Sequence, residues 1–366
     1  MLGPRMYKRY EFASPPSRKN QTSCSRIRAS ESGCCYRVEF TSYPGNLQST
    51  DDWYTLPSTG LVVTETSNNV FNTELNREYT KPESVSEWIR AIVANRLATD
   101  GLSWVQAFCK HNSGTYNNGW IIANVGALDS RPTGRLNLPD GFLWLAEPLP
   151  GSCVNGDITD TLRRDSYFAS YNIPYFSAVN ELSGNLRMEQ EYGSLFNRTT
   201  YARAVLFREL LSSTTASFTL ESLQRVIRYN DWQRDNASTC PGCYPDAHNP
   251  VLTISARGDL IPLQGLPGVA SNGSWGKWAP FVEGLPNGNG AKTLIAIDGK
   301  VTSAAMVRNA ANDDATSIIV AGPTHERQPV FNWNTSWYST MGSGVNSHLG
   351  QATVQGFQWV TSNHWN

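Results

Sequence analysis

The chain has 366 residues, of which 40% are hydrophobic and 17% charged, and its formal net charge is -1. This length suits one large layered domain or two ordinary ones, and the composition excludes a disordered protein or a coiled coil. The charges are balanced, and no basic run stands out from Lys81 onward. Nucleic-acid binding therefore has little support.

The first 37 residues show no convincing periodicity, and the first thirty are locally basic. We expect residues 1–37 to be an atypical, poorly ordered segment. They contain no apolar core of the kind that a signal peptide requires. No apolar run approaches the roughly 18–20 residues needed to cross a bilayer.

The predicted structured region begins at Val38. Residues 60–66 (GLVVTET) predict a buried strand. Ser84 and Glu87 form a capping box that predicts the start of a helix. Five apolar residues follow at a spacing that places them on one buried face of this helix: Val85, Trp88, Ile89, Ile92 and Val93. Gly101 is the predicted end of the helix.

The following elements alternate irregularly. A second capping box at Ser103 and Gln106 predicts a short helix that ends near Lys110. Further strands are predicted at 120–125, 142–145, 293–297, 317–320 and 354–360, and further helices at 157–165, 202–211 and 219–228. There is no regular alternation of strand and helix, which favours an α+β fold with helices outside stacked sheets.

The chain has seven cysteines, and Cys240 and Cys243 form its one C-x-x-C motif. A zinc site would need a second pair or nearby histidines, and only His248 is close. Thioredoxin-like chemistry would need a strand before the motif and a helix after it. We therefore favour a disulfide between Cys240 and Cys243, which points to an oxidising compartment.

Five Asn-x-Ser/Thr sequences are candidate glycosylation sites, and their number is close to what the composition gives by chance. They lie at Asn20, Asn197, Asn236, Asn272 and Asn334.

Two segments place asparagines among aromatic residues: 166–180 (SYFASYNIPYFSAVN) and 111–120 (HNSGTYNNGW). A fixed amide donates a hydrogen bond without carrying a charge, and a donor of this kind stabilises the oxyanion formed during acyl transfer. Both segments are therefore candidate parts of a hydrolytic site.

From about Val38 to the C-terminus, the order of motifs resembles that of the phospholipase B-like (laminin ancestor) proteins. The matching runs are 40–45 (FTSYPG), 51–54 (DDWY), 87–90 (EWIR) with 93–97 (VANRL), 112–120 (NSGTYNNGW), 169–176 (ASYNIPYF), 228–231 (RYND), 240–243 (CPGC), 254–257 (ISAR) with 259–260 (DL), and 300–303 (KVTS). Any one run is weakly specific, but the ordered set is specific.

The resemblance implies an N-terminal nucleophile hydrolase with a four-layer αββα sandwich, made by self-cleavage of a precursor. It implies a hydrolase domain over residues 38–366, a lysosomal or secreted glycoprotein, and hydrolysis of ester or amide bonds in phospholipids. It implies no cofactor and no metal.

In that class, cleavage exposes a cysteine whose own α-amino group, with a pKa of about 7.7–8.0, acts as the base. A catalytic histidine is then unnecessary, which suits a chain with five histidines and none in a triad setting. The chain also lacks the G-x-S-x-G motif of ordinary α/β-hydrolase lipases.

By resemblance, Cys24 is the candidate nucleophile, Asn172 the oxyanion donor and Arg228 the cation beside the thiolate. Asn117 and Asn118 are candidate substrate-binding residues. The three asparagines and Arg228 also have structural alternatives. Asn172 would bridge backbone groups at a turn, Arg228 would be a solvated charge at a helix end, and Asn117 and Asn118 would mark a turn into a strand.

Arg257 and Asp259 are interpreted as a structural ion pair.

The segment around Cys24 departs from the family pattern. Arg26-Ile27-Arg28 stands where the family has an apolar strand, and the His-Asn-Thr-Trp motif is missing. The expected fold therefore lacks its first strands. Two explanations compete: a truncated or misassembled gene product whose first residues are foreign, or a shortened and inactive relative. The alternative function is a non-catalytic glycoprotein that binds lipid or a partner on the same scaffold.

Overall fold

The structure is a computed structural model that describes residues 6–13, 35–128, 134–212, 218–239, 248–260, 298–310, 314–333 and 354–364. The chain forms two compact units. The sheet unit comprises Arg5–Met188, Thr302–Ser317 and Thr361–Asn366. The second unit comprises Met1–Pro4, Glu189–Val301 and Ile318–Val360.

The sheet unit is built on a seven-stranded antiparallel sheet, in which each strand pairs with the next one along the chain. Its strands are β1 (Met6–Ala13), β2 (Cys35–Ser42), β3 (Trp53–Leu56), β4 (Leu61–Ser67), β5 (Asn118–Asn124), β6 (Leu143–Leu149) and β7 (Ser152–Asp157). Pairing of neighbours in the sequence keeps three of the six connections short, those between β2 and β3, β3 and β4, and β6 and β7, which limits the entropy cost of closing them.

The remaining described strands are short. They are β8 (Asp298–Val301), β9 (Ile318–Ala321), β10 (Phe331–Asn332), β11 (Val354–Gln355) and β12 (Val360–Thr361). The described helices are α1 (Thr73–Tyr79), α2 (Glu87–Leu97), α3 (Gly101–Cys109), α4 (Thr159–Asp165), α5 (Ser177–Leu182), α6 (Asn185–Tyr192), α7 (Ala202–Ser212), α8 (Leu220–Ile227) and α9 (Ala304–Arg308). This mixture confirms the α+β class.

Side chains alternate between the two faces of the large sheet. On the helix face, residues such as Val63, Trp120 and Ile122 share a buried cluster with Ala91 of α2 and Trp104 of α3. On the opposite face, here called the loop face, the cluster includes Val62, Leu145, Phe168, Tyr175 and Val307. Both faces of the central strands are therefore covered.

The helix predicted from the capping box begins later than expected and buries a different face. The Ser84 hydroxyl donates to the Lys81 carbonyl, and α2 begins at Glu87. Its buried residues are Glu87, Arg90, Ala91, Ala94 and Asn95. The predicted core residues Trp88, Ile89 and Val93 are 41%, 38% and 41% exposed, so the predicted buried face is wrong.

The reason lies in close packing. Small alanines let α2 approach the core, and the Arg90 guanidinium lies 4.3 Å from the centre of the Phe108 ring and donates to the Phe108 carbonyl.

The second predicted helix is confirmed as α3, although its cap differs. Asp100 is the N-cap, and its carboxylate accepts from the Ser103 amide at 2.7 Å. Gly101 begins this helix instead of ending α2. A Cβ atom at Gly101 would lie 2.4 Å from the Trp144 ring, so a side chain there would displace the indole.

Strand β1 lies in the segment that we expected to be poorly ordered. It pairs with β2 along its whole length. Tyr10 stacks on Phe40, and Arg9 forms an ion pair with the buried Glu39 at 3.0 Å. Its partners lie about thirty residues away in the sequence, and for this reason local periodicity did not reveal the strand.

Most other predicted elements in the described residues are confirmed by β4, β5, β6, β9, α4, α7 and α8. In the predicted strand 354–360, only the short β11 and the first residue of β12 are extended. The predicted strand at 293–297 lies outside the described residues. Within the described part of the chain, no helix is long and apolar enough to span a membrane.

Candidate functional site

The predicted amide residues of the sheet unit meet where β4 ends and β5 begins. Ser67 pairs with Asn118, and the Asn68 amide donates to the Asn117 carbonyl at 2.9 Å. The Asn172 side chain reaches the same point, because its Nδ2 donates to the Ser67 carbonyl at 2.8 Å. We call this meeting point the amide end of the sheet. The fold thus brings together Asn117, Asn118 and Asn172, which are far apart in the sequence.

Asn172 adopts a conformation that few side chains tolerate. Its φ is 61°, in the left-handed region where asparagine is among the accepted residues. The next residues, Ile173 and Pro174, are buried, whereas Asn172 is exposed. Asn172 therefore does bridge to the backbone at a turn. An amide nitrogen carries two hydrogens, so this bridge is compatible with donation to a substrate.

Glu147 fastens the loop that carries Asn172. Its carboxylate is buried and accepts from the Tyr175 amide at 2.8 Å and from the Phe176 amide at 3.0 Å. Asn68 Nδ2 donates to the same carboxylate at 3.3 Å. The loop is thereby tied to β6 and to the end of β4.

Several buried polar atoms at the amide end have no hydrogen-bond partner among the described residues. Both polar atoms of the Asn118 side chain are in this state, and so are the Oδ1 atoms of Asn68 and Asn117. Asn117 Nδ2 donates to the Gly114 carbonyl at 3.0 Å. Each buried unpaired group costs about 1–3 kcal/mol, so a concentration of them marks a functional site or bound solvent.

A group of carboxyls lies on the helix face beside Asn118. Glu65 is opposite Trp120, which lies two residues from Asn118 along β5, and the buried oxygens of Glu65 have no hydrogen bond of ordinary geometry within the described residues. Burial, and then the proximity of Asp52, raises the pKa of the Glu65 carboxyl to about 11. Burial also raises the pKa of Glu87 to about 7. Glu65 is therefore protonated at neutral pH.

Asp52 and Tyr116 complete this cluster of acidic side chains. The Tyr116 hydroxyl donates to Asp52 Oδ2 at 3.0 Å. Burial, and then the neighbouring carboxyls of Glu65 and Asp52, raises the pKa of Tyr116. Sequence reasoning missed this cluster. The available signal was Glu65 itself, which interrupts the apolar run 60–66 on the same face as Leu61 and Val63.

The segment that leads into β5 is held by an amide and a disulfide. Asn112 Nδ2 donates to the carbonyls of Leu149 and Ser152 at 2.7 and 2.9 Å. Cys109, at the end of α3, forms a disulfide with Cys153 of β7. Sequence reasoning missed this pairing, because connectivity cannot be deduced from cysteine spacing across 44 residues.

We expect removal of the Cys109–Cys153 disulfide by the Cys109→Ala/Cys153→Ala double substitution to lower the free energy of unfolding by about 2–4 kcal/mol, because the open chain gains entropy when unfolded. Urea denaturation of the oxidised protein and the variant measures the difference. Equal stability of the two proteins would show that the bridge does not constrain the unfolded chain.

Arg228, in the second unit, is not the solvated helix-end charge that we considered. It is the C-cap residue of α8 and is 2% exposed, and its guanidinium donates to the Gly322 carbonyl at 2.7 Å. Burial lowers its pKa to about 10, an effect that Glu326 opposes. Gly299 makes room for it, since a Cβ atom there would lie 3.1 Å from Arg228 Cδ. Arg228 is a buried cation.

The interpretation of Arg257 and Asp259 as a structural ion pair is confirmed. Two parallel hydrogen bonds of 2.8 Å join the guanidinium to the carboxylate. Arg257 also donates to the carbonyls of Thr324 and Pro329. Both charged side chains are almost fully buried.

The sequence profile of the Phospholipase B family matches residues 2–362. The chain belongs to the phospholipase B family. The protein named "Putative phospholipase B-like 2" in Rattus norvegicus is 37% identical over 328 residues, which cover 88% of this chain and 49% of the rat protein. The Homo sapiens protein of the same name is 37% identical over 329 residues, with the same coverage. Phospholipase B-like protein C of Dictyostelium discoideum is 33% identical over 329 residues, 88% of this chain and 49% of that protein.

This phospholipase B family chain spans about half the length of the curated relatives it matches. The candidate nucleophile Cys24 lies outside the described residues, as do Cys240 and Cys243 of the C-x-x-C motif. Among the residues that the structure describes, no group of three His, Cys, Asp or Glu side chains is arranged to hold a metal ion.

The candidate glycosylation sites differ in their surroundings. Asn236 is exposed, whereas Asn197 is half-buried and its amide nitrogen donates to Glu189. Asn20, Asn272 and Asn334 lie outside the described residues.

Proposed function

We propose that this protein is a hydrolase that cleaves acyl ester or amide bonds of phospholipids through a cysteine thioester. Membership in the phospholipase B family supports a phospholipase-like hydrolase. The amide end of the sheet is the observation that carries the mechanistic part of the proposal, because its side chains are neutral hydrogen-bonding groups held in fixed positions.

In the proposed mechanism, Cys24 becomes the first residue of a chain after cleavage of the Ser23–Cys24 bond. The α-amino group takes the thiol proton, and the thiolate attacks the acyl carbonyl. The ester C–O bond (or amide C–N bond) then breaks, and the departing alcohol (or amine) receives that proton as the thioester forms. Water then hydrolyses the thioester and releases the fatty acid. The hydrolase domain is proposed to span residues 38–366 in the four-layer αββα sandwich of N-terminal nucleophile hydrolases. Strand β1 of the upstream segment would stay on this sheet after cleavage through its pairing with β2.

Asn172 is proposed to donate to the oxyanion, since its left-handed backbone and its bond to Ser67 hold the amide in place. Asn117 and Asn118 are proposed to bind polar atoms of the substrate, which their unpartnered buried atoms support. Arg228 is proposed to supply a positive charge, and its pKa of about 10 leaves it charged at neutral pH.

We propose that the protein acts in a lysosome or outside the cell. The Cys109–Cys153 disulfide supports an oxidising compartment, because such bridges are rare in reducing ones. Glycosylation at Asn197, Asn236, Asn272 or Asn334 and a second disulfide between Cys240 and Cys243 belong to the same proposal.

The proposal is tested by expression in a secretory host, with mass spectrometry of the chain termini and assays on phospholipids and acyl amides. We expect a chain that begins at Cys24 and turnover that Cys24→Ala abolishes. Cys34→Ala is the matched control and should keep its activity. An intact Ser23–Cys24 bond together with no hydrolysis of either substrate class would contradict the proposal.

The departure of residues 24–37 from the family pattern favours one second candidate, a non-catalytic lipid-binding glycoprotein on the same scaffold. This candidate predicts that phospholipid vesicles bind equally to the wild type and to Cys24→Ala. Turnover that depends on Cys24 would refute it.

A further inference from the structure

Glu147 occupies a position in β6 where the strand pattern calls for an apolar residue. Leu143 and Leu145 lie on the same loop face, and both are buried in its hydrophobic cluster. Glu147 is 2% exposed, so its carboxylate is withdrawn from solvent almost completely. A buried carboxylate is costly unless hydrogen bonds compensate for the lost water. An acidic residue here therefore implies a specific role for its acceptor atoms.

The two carboxylate oxygens of Glu147 accept hydrogen bonds from two consecutive backbone amides, an arrangement that we call the fork. Oε1 accepts from the Tyr175 amide at 2.8 Å, and Oε2 accepts from the Phe176 amide at 3.0 Å. Hydrogen bonds to an ionised acceptor are roughly twice as strong as those between neutral groups. The carboxylate therefore fixes both the position and the orientation of this pair of peptide groups.

The chain between this fork and Asn172 has little freedom. Only Ile173 and Pro174 intervene, both are buried, and the proline ring fixes its own φ. On the other side, the Asn172 side chain is bonded to the Ser67 carbonyl. A rigid segment thus connects the carboxylate of Glu147 to the amide of Asn172.

We propose that Glu147 is a positioning residue that holds the Asn172 amide in the geometry required to receive the developing oxyanion. This inference rests on the proposed function and assigns a specific task to a residue outside the predicted site. Misplacement of a catalytic donor by about 1 Å can cost about a hundredfold in rate. The carboxylate acts through the loop and does not itself touch the substrate.

Glu147→Gln tests the proposal with almost no change in shape. Glutamine retains one carbonyl acceptor but presents an N–H₂ group to the other backbone amide, so the fork is lost. We expect kcat to fall at least about tenfold with KM within about twofold. We also expect the amides of Tyr175 and Phe176 to exchange with deuterium at least about tenfold faster. Glu181→Gln is the control, because it makes the same substitution at an exposed position of α5 that is outside the proposed site.

Two further arms separate the possible failures. Hydrogen–deuterium exchange of the loop amides is measured without substrate, so it reports on the fork even if the wild type hydrolyses no acyl lipid or amide. Such an absence of hydrolysis would count against the proposed function alone. Glu147→Asp shortens the side chain but keeps the charge, and it replaces the glutamine variant in the test if that variant does not fold. We expect the Tyr175 and Phe176 amides to exchange faster in Glu147→Asp as well. Unchanged loop exchange in a folded variant, or a fall in kcat that Glu181→Gln reproduces, would overturn the role of Glu147.

Discussion

Between pH 5 and pH 8, Glu65 should lower the free energy of unfolding of the wild type by about 4 kcal/mol, and the Glu65→Gln variant should lack this loss. The folded protein holds Glu65 protonated, because burial raises its pKa from 4.5 to about 11. The unfolded chain releases this proton near pH 4.5. The contribution of Glu65 to stability is therefore most favourable at acidic pH and falls as the pH rises from about 4.5 towards 11. Glutamine cannot ionise, so its contribution does not change with pH.

Glu87 also lowers the free energy of unfolding as the pH rises, but by less. Its contribution stops changing near pH 7, because its carboxyl in the folded protein has a pKa of about 7. Urea denaturation at pH 5, 6, 7 and 8 measures both contributions. Glu181→Gln, at an exposed position in α5, is the control and should leave the slope unchanged. If Glu65→Gln has the same pH slope as the wild type, Glu65 is ionised in the folded protein and the proposed protonation state is wrong.

Asp259→Leu should destabilise the protein by about 3–5 kcal/mol, because it leaves the charge of Arg257 buried without its carboxylate. The wild-type pair is joined by two bonds of 2.8 Å, and both side chains are almost fully buried. Thermal or urea denaturation of the variant measures the cost.

The double substitution Arg257→Met/Asp259→Leu removes both charges and should be no less stable than Asp259→Leu alone. Glu74→Gln, which breaks the exposed pair between Glu74 and Arg77 in α1, is the control and should change stability by less than about 0.5 kcal/mol. A cost below about 1 kcal/mol for Asp259→Leu would mean that Arg257 is adequately solvated without its partner.

Local sequence signals predicted the α+β class and most central elements. Strand β4 follows from its apolar run, and α8 follows from the helical spacing of Leu220, Leu223, Val226 and Ile227. The structure adds an N-cap that the sequence analysis did not predict, since Thr219 accepts from the Ser222 amide. The amide end was also accessible from sequence, because Asn117, Asn118 and Asn172 each stand among aromatic residues in turn-like segments.

The features that sequence reasoning missed depend on distant partners. Strand β1 needs β2, and the Cys109–Cys153 bridge joins an α3 residue to β7. The buried face of α2 depends on close packing of alanines, whereas its larger apolar side chains are partly exposed. Glu147 could not be assigned a role, because its partners are backbone amides that no sequence pattern reveals.

The central claim is acyl transfer to the thiol of Cys24, and acyl-enzyme trapping tests it most directly. Protein from a secretory host is mixed with a phospholipid that carries an isotope label in its acyl chain, quenched in acid and mapped by mass spectrometry. The proposed mechanism predicts the labelled acyl group as a thioester on a peptide whose first residue is Cys24. Turnover with the label on a serine, or on a peptide that does not begin at Cys24, would contradict it.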